Sequence, residues 1–231
     1  MRRTSWPATR LGDALETLQR FYGTIDPPFP TDPFAMVLWE NVAYLVDDDR
    51  RRAAFEMLVR RVGVTPRAIL TAPHELLLEI ASSGGMHPAR RVEKLLEIAR
   101  ITLDEFGGDL RTALELTRSK AKAALGTYPG IGAPGAEKVL LFCGGLPVLA
   151  LDSNGLRVLL RLGYGEEKKS YAATYRSAQE AAAAQVGKHQ DQLAGAHLLL
   201  RRHGQELCKT SAPRCEQCPL SPACRFYQEQ R

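Results

Sequence analysis

The chain has 231 residues, 45% of them hydrophobic and 25% charged, enough to bury the core of one large domain or two small ones. No window nears the ~18 unbroken apolar residues of a membrane span, and the N-terminal MRRTSWPATRLGDALETLQRF lacks the apolar stretch of a secretory signal, so a cytosolic, nucleoid-associated bacterial protein is expected. A net charge of +5 suits a polyanionic partner without identifying one.

The elements read as helical from end to end. Residues 11–22 (LGDALETLQRFY) carry apolar positions at helical spacing, and the proline-rich DPPFPTDPF closes that helix. PFAMVLWENVAYLV is apolar enough for a buried helix. DDDRRRAAFEMLVRRVG opens with three acids, favourable at a helix start, and puts Phe55, Leu58 and Val59 on one face. TAPHELLLEIASSGG ends in helix-closing glycines. HPARRVEKLLEIARITLDEFGG and DLRTALELTRSKAKAALGTY continue as helices. YPGIGAPGAEKVLLFCGG, LDSNGLRVLLRLG and the long run from YAATYRS to HGQELC complete the chain. No segment alternates as a strand does, and no repeat of solenoid period appears, so the class is all-α.

Four of the five cysteines fall within the last 24 residues: Cys208, Cys215, Cys218 and Cys224. Their 6-2-5 spacing brings four thiols together from one short loop, and a reducing compartment turns such a set towards metal, either zinc or iron–sulfur. Cys143, in LLFCGG, reads as a small buried apolar residue. Upstream, Pro129-Gly130-Ile131-Gly132 forms a turn whose glycines allow close approach to a phosphate, with amides of the next helix start as donors. An ordinary helix–helix turn would use the same residues. Gly144-Gly145 ends the second helix, and an apolar segment leads to Asp152. That carboxylate can cap the helix of NGLRVLLRL, or stabilise positive charge on a sugar whose N-glycosidic bond is breaking.

From about Pro33 to Cys224 the chain resembles the helix-hairpin-helix (HhH-GPD) DNA glycosylase superfamily, in particular its endonuclease III and adenine-DNA glycosylase branches. The carriers are the 6-2-5 cysteine loop after LLRRHGQELC, the PGIG hairpin and the Asp152 segment, in family order. The resemblance implies a two-lobed fold with a DNA cleft between the lobes. Residues 35–146 would form a six-helix lobe ending in the hairpin, and 1–34 with 147–231 a cluster lobe. It further implies a [4Fe–4S] cluster on the four cysteines, Asp152 as the catalytic carboxylate, and Lys209 and Arg214 against DNA phosphate. The partner would be duplex DNA with a damaged or mismatched base, bound by a monomer.

In bifunctional members a lysine four residues after the first hairpin glycine attacks the sugar. Counting from Gly130, Pro134 stands there, so the ordinary lyase step is expected to be absent; Lys138, one turn on, is the alternative amine. Glu40 matches the acid that adenine-DNA glycosylases use on the departing base, and an apolar helix disfavours a charged carboxylate, which suits a general acid. Trp39 and Tyr44 would line the base pocket with Lys138. Gly85-Met86-His87 resembles the loop that wedges into the gap left by an extruded base, with Arg90, Arg91 and Lys94 as a basic flank. Adenine-DNA glycosylases read the opposing oxidised guanine with a further C-terminal domain; only seven residues follow Cys224, so that substrate is not expected. Three readings follow: a monofunctional glycosylase, a glycosylase with lyase activity through Lys138 or another amine, and a non-catalytic protein that binds distorted duplexes.

Overall fold

The computed structural model describes residues 10–144 and 146–230; Gly145, expected to help close its helix, lies outside them. Two compact units form. One takes the two ends of the chain, up to Asp26 and from Leu146 onward; the other is Pro27–Gly145.

The first unit begins with α1 (Arg10–Tyr22), which buries Leu11, Leu15 and Leu18 on one stripe. Each such leucine contributes about 2 kcal/mol by leaving water.

The second unit holds α2 (Pro33–Val42), α3 (Asp48–Arg61), α4 (Pro66–Thr71), α5 (His74–Ser83), α6 (Pro88–Phe106), α7 (Arg111–Leu114), α8 (Arg118–Leu125) and α9 (Ala133–Cys143). Six of these run eight residues or more, and α4 and α7 are short. The apolar run at 33–46 is helical only to Val42. Asp32 caps it, its carboxylate accepting from Ala35 N–H at 2.9 Å, and Ala43 is extended. Val92, Leu95, Ile98 and Ala99 make α6 the spine of the unit, packed by α2, α4 and α5. Residues 110–128 do not form one helix: Thr117 is extended and α8 starts after it. The unit takes in residues 27–32 because Phe29 packs edge-on against Phe142 at 4.8 Å. Among the described residues there is no strand, only an isolated bridge between Tyr44 and Gly85.

Returning to the first unit, α10 (Ser153–Leu162) packs on α12 (Gln190–Glu206), with α11 (Tyr171–Val186) beside them. The run expected as one helix to Cys208 is broken at Gly187, whose φ of +93° few other residues adopt. After α12 the cysteine loop makes two short 3-10 turns, Cys215–Gln217 and Ser221–Ala223, and ends in α13 (Arg225–Gln228). No helix among the described residues is long and apolar enough to cross a membrane.

Candidate functional site

In the second unit the hairpin joins α8 to α9. Tyr128, which opens it, is buried and its hydroxyl lies 3.0 Å from Thr102 Oγ1 on α6; burial pushes the phenol up to about 12. Gly130 has φ +74°, and a Cβ there would sit 2.5 Å from Asn41 Oδ1, so the turn needs glycine on both counts. Gly132 is the N-cap of α9 and offers no side-chain cap, so the first amides of α9 are left to a ligand or water. Ile131 corrects the sequence reading. Its side chain is 4% exposed and its amide donates to Tyr128 O at 3.1 Å, so it serves the turn and not a phosphate. Pro134 occupies the first turn of α9, where its missing N–H costs nothing.

Glu40, Asn41, Ala43, Tyr44, Met86, His87, Arg90, Arg91 and Lys94 line one surface pocket. The structure thus gathers Glu40, Tyr44, Met86, His87 and Arg90, as their candidate roles require. Tyr44 and Met86 are half-exposed, and the rings of Tyr44 and His87 lie 6.3 Å apart. The loops carrying them are joined at the Tyr44–Gly85 bridge, with Tyr44 N–H donating to Gly84 O at 3.0 Å. Trp39 is different. It is 4% exposed and packs edge-on against Phe55 at 5.5 Å, so it is core and not pocket wall.

Arg91 is a second correction. It is 4% exposed, and its guanidinium donates to the carbonyls of Met86 at 2.8 Å, Gly85 at 2.7 Å, and Val42 and Ala81 at 2.5 Å each. Instead of forming a solvated flank with Arg90 and Lys94, it ties the two pocket loops to α5 from below. Glu40 does not stand alone in apolar surroundings. Its carboxylate accepts from Lys138 Nζ at 2.8 Å, and Nζ also lies 3.7 Å from the centre of the Phe29 ring. Both contacts occupy Nζ, whereas an attacking amine must present a free lone pair to its substrate. Cys143 is partly buried, and burial pushes its thiol up to about 12.

In the first unit Asp152 is the N-cap of α10. Oδ1 accepts from Gly155 N–H at 2.7 Å, and Oδ2 from the Asn154 amide at 3.1 Å. Arg201 Nε stands 3.4 Å from Oδ2, a partner the sequence did not suggest. The capping role is therefore real, and 27% of the side chain stays exposed for a second one.

Below Asp152, α10 reaches the cysteine loop. Arg157 Nε donates to Cys208 O at 2.8 Å, and its Nη2 to Gly204 O and Asn154 Oδ1, each at 2.8 Å. Arg161 Nη1 donates to Lys209 O at 2.7 Å and approaches Cys208 Sγ at 3.3 Å, while its guanidinium lies over the Phe226 ring. Their i, i+4 spacing on the helix after Asp152 is the only trace of this brace in the sequence.

Cys208, Cys215, Cys218 and Cys224 line a single cavity. A set of four thiols suits either a zinc ion or an iron–sulfur cluster. Burial pushes the Cys218 and Cys224 thiols up, an effect that bound metal reverses by demanding thiolates. His203, 1% exposed, sits against Cys218; burial pulls its imidazole down to about 4, so the ring is neutral. Lys209 and Arg214 are exposed on the loop, as a phosphate-facing role needs.

No family model matches the chain. Individual proteins do. Endonuclease III of Thermotoga maritima is 27% identical over 198 residues, 86% of this chain and 85% of that protein. The thymine-DNA glycosylase of Aeropyrum pernix is 26% identical over 213 residues, 90% of each. These similarities support the helix-hairpin-helix DNA glycosylase superfamily that the sequence motifs implied. Solved structures of this superfamily share the fold. A trapped endonuclease III–DNA covalent intermediate superposes with a TM-score of 0.77 at 20% identity, over 96% of this chain and 97% of the other. A thermostable thymine-DNA glycosylase gives 0.74 at 20% identity, over 94% and 96%.

Proposed function

We propose that the protein is a base-excision DNA glycosylase that hydrolyses the N-glycosidic bond of a damaged or mismatched base without cutting the strand. The observation that carries this reading is the pairing of an ordered, part-exposed Asp152 with a hairpin that has proline where the amine would be. Breaking the bond builds oxocarbenium character on the sugar, and a fixed carboxylate stabilises it without reorganising. Asp152 supplies that carboxylate. Water then completes the hydrolysis, since Pro134 has no nitrogen to attack with and Lys138 is engaged by Glu40 and Phe29.

Glu40 meets the extruded base or the attacking water in the pocket it shares with Tyr44, His87 and Arg90. Met86 is the wedge. The hairpin amides and the exposed Lys209 and Arg214 hold phosphates and so position the duplex without reading its sequence. Cys208, Cys215, Cys218 and Cys224 hold a [4Fe–4S] cluster. When bound, the cluster crosslinks the C-terminal loop and so fixes Lys209 and Arg214.

The test is a panel of duplex oligonucleotides, each with one lesion or mismatch, beginning with the thymine and uracil named in the archaeal relatives. Each reaction is split and one half heated in alkali. Strand breaks only after alkali are expected. Breaks without alkali, with an adduct trapped by borohydride, would establish a lyase, and loss of that adduct in Lys138→Met would assign it to Lys138. Binding to every duplex with no base released would leave a DNA-damage-binding protein.

A further inference from the structure

A hydrogen-bonded line runs from α1 to the cysteine loop. The Tyr22 hydroxyl lies 3.1 Å from His203 Nδ1, and His203 Nε2 lies 3.4 Å from Cys218 Sγ. The ring is 1% exposed and stands edge-on to Tyr22, so its protein partners and not water set its tautomer. Their chemistry decides it. A metal-bound thiolate carries no proton and can only accept. The contact with Cys218 is therefore a hydrogen bond only if Nε2 bears the proton. Nδ1 is then a lone pair, and Tyr22 must be its donor. The thiolate fixes this tautomer, and the Tyr22 hydroxyl, which can donate or accept, completes it as the donor to Nδ1.

We propose that Tyr22 and His203 together aim an N–H at the Cys218 sulfur and thereby raise the reduction potential of the iron–sulfur cluster. The inference rests on the cluster reading given above. A donor on a ligand sulfur draws charge from the thiolate and favours the reduced cluster. Arg161 does the same at Cys208, where Nη1 lies 3.3 Å from the sulfur. The two donors differ in kind. Arg161 brings a full charge from the part-exposed side of α10, while His203 is buried and held by a residue from the other end of the chain. His203 and Tyr22 are positioning residues here, acting through Cys218.

The experiment uses the full chain purified without oxygen, with iron and zinc counted first. The potential is then measured by titration with redox dyes. Replacing His203 by Leu removes the N–H and should shift the reduction equilibrium towards the oxidised form about tenfold, equivalent to about 59 mV for one electron. His203→Gln, whose amide can present an N–H in place of Nε2, should restore most of that shift. Tyr22→Phe keeps the ring and its packing but removes the donor to Nδ1, and should move the potential part of the way in the same direction. Resonance Raman gives a second readout. The iron–cysteine stretch should shift in D2O for wild type and the Gln variant, and not for the Leu variant.

A Leu variant with wild-type potential overturns the proposal. So does a Gln variant indistinguishable from Leu, which would mean packing alone. If His203→Leu fails to retain iron, Tyr22→Phe decides, and an unchanged potential there is equally fatal. Wild-type protein that carries zinc and no iron would overturn the cluster reading and this inference with it. The metal count reveals that before any potential is measured.

Discussion

Glu40 and Asp152, one in each unit, are equally exposed at 27% of their side-chain surface, and each faces a cation. There the likeness ends. Asp152 is held by its own neighbours: the amide of Gly155, the side chain of Asn154 and, from α12, Arg201. Two of its three restraints are written into four consecutive residues. Glu40 is held by a lysine 98 positions away on another helix, itself propped by Phe29. A carboxylate that caps a helix keeps its geometry as long as the helix lasts. One that relies on a distant ammonium keeps it only while two helices stay packed.

This contrast can be broken experimentally. Asp152→Asn should leave folding within about 0.5 kcal/mol of wild type, because asparagine caps as well as aspartate. Base release in single turnover should nevertheless fall about a thousandfold, from loss of the fixed charge. Comparable losses of stability and rate would show that the cap is all Asp152 provides. Glu40→Gln should lower base release about a hundredfold. It should also cost about 1 kcal/mol in denaturant melts, because it strands the part-buried Lys138. Lys138→Met should cost roughly tenfold in rate by loosening Glu40, with no borohydride adduct before or after the change. Smallest, Asp152→Ala should melt about 1 kcal/mol below Asp152→Asn, the ordinary worth of a helix cap. Equal melting points would place the restraint on Asp152 in Arg201 rather than in the cap.

What the sequence revealed follows the same division. The cysteine loop was legible because all four thiols lie between residues 208 and 224, and the hairpin because Gly130 answers to a backbone demand that glycine alone meets. The braces were not. Arg157 and Arg161 reach the loop across about fifty residues, and Tyr22 meets His203 across 181, distances at which no local pattern survives. Trp39 was misread because an aromatic in an apolar run serves pocket or core equally well until Phe55 is seen against it. Arg91 was misread because it follows Arg90, and a pair of arginines looks solvated; only the fold shows four carbonyls converging on one of them.

The Arg91 clamp bears on how such an enzyme changes its preferences over evolution. Gly84 and Gly85 are fixed by what lies against them: a Cβ at Gly84 would meet Val42 O at 2.4 Å, and one at Gly85 would meet Tyr44 O at 2.5 Å. Arg91 is fixed by its carbonyls. Tyr44, Leu45 and Met86, by contrast, project from this frame with 50%, 72% and 53% of their surface exposed. On the proposed function, Tyr44 and Met86 are therefore the pocket positions whose exchange would change the lesions accepted while leaving the frame unaltered.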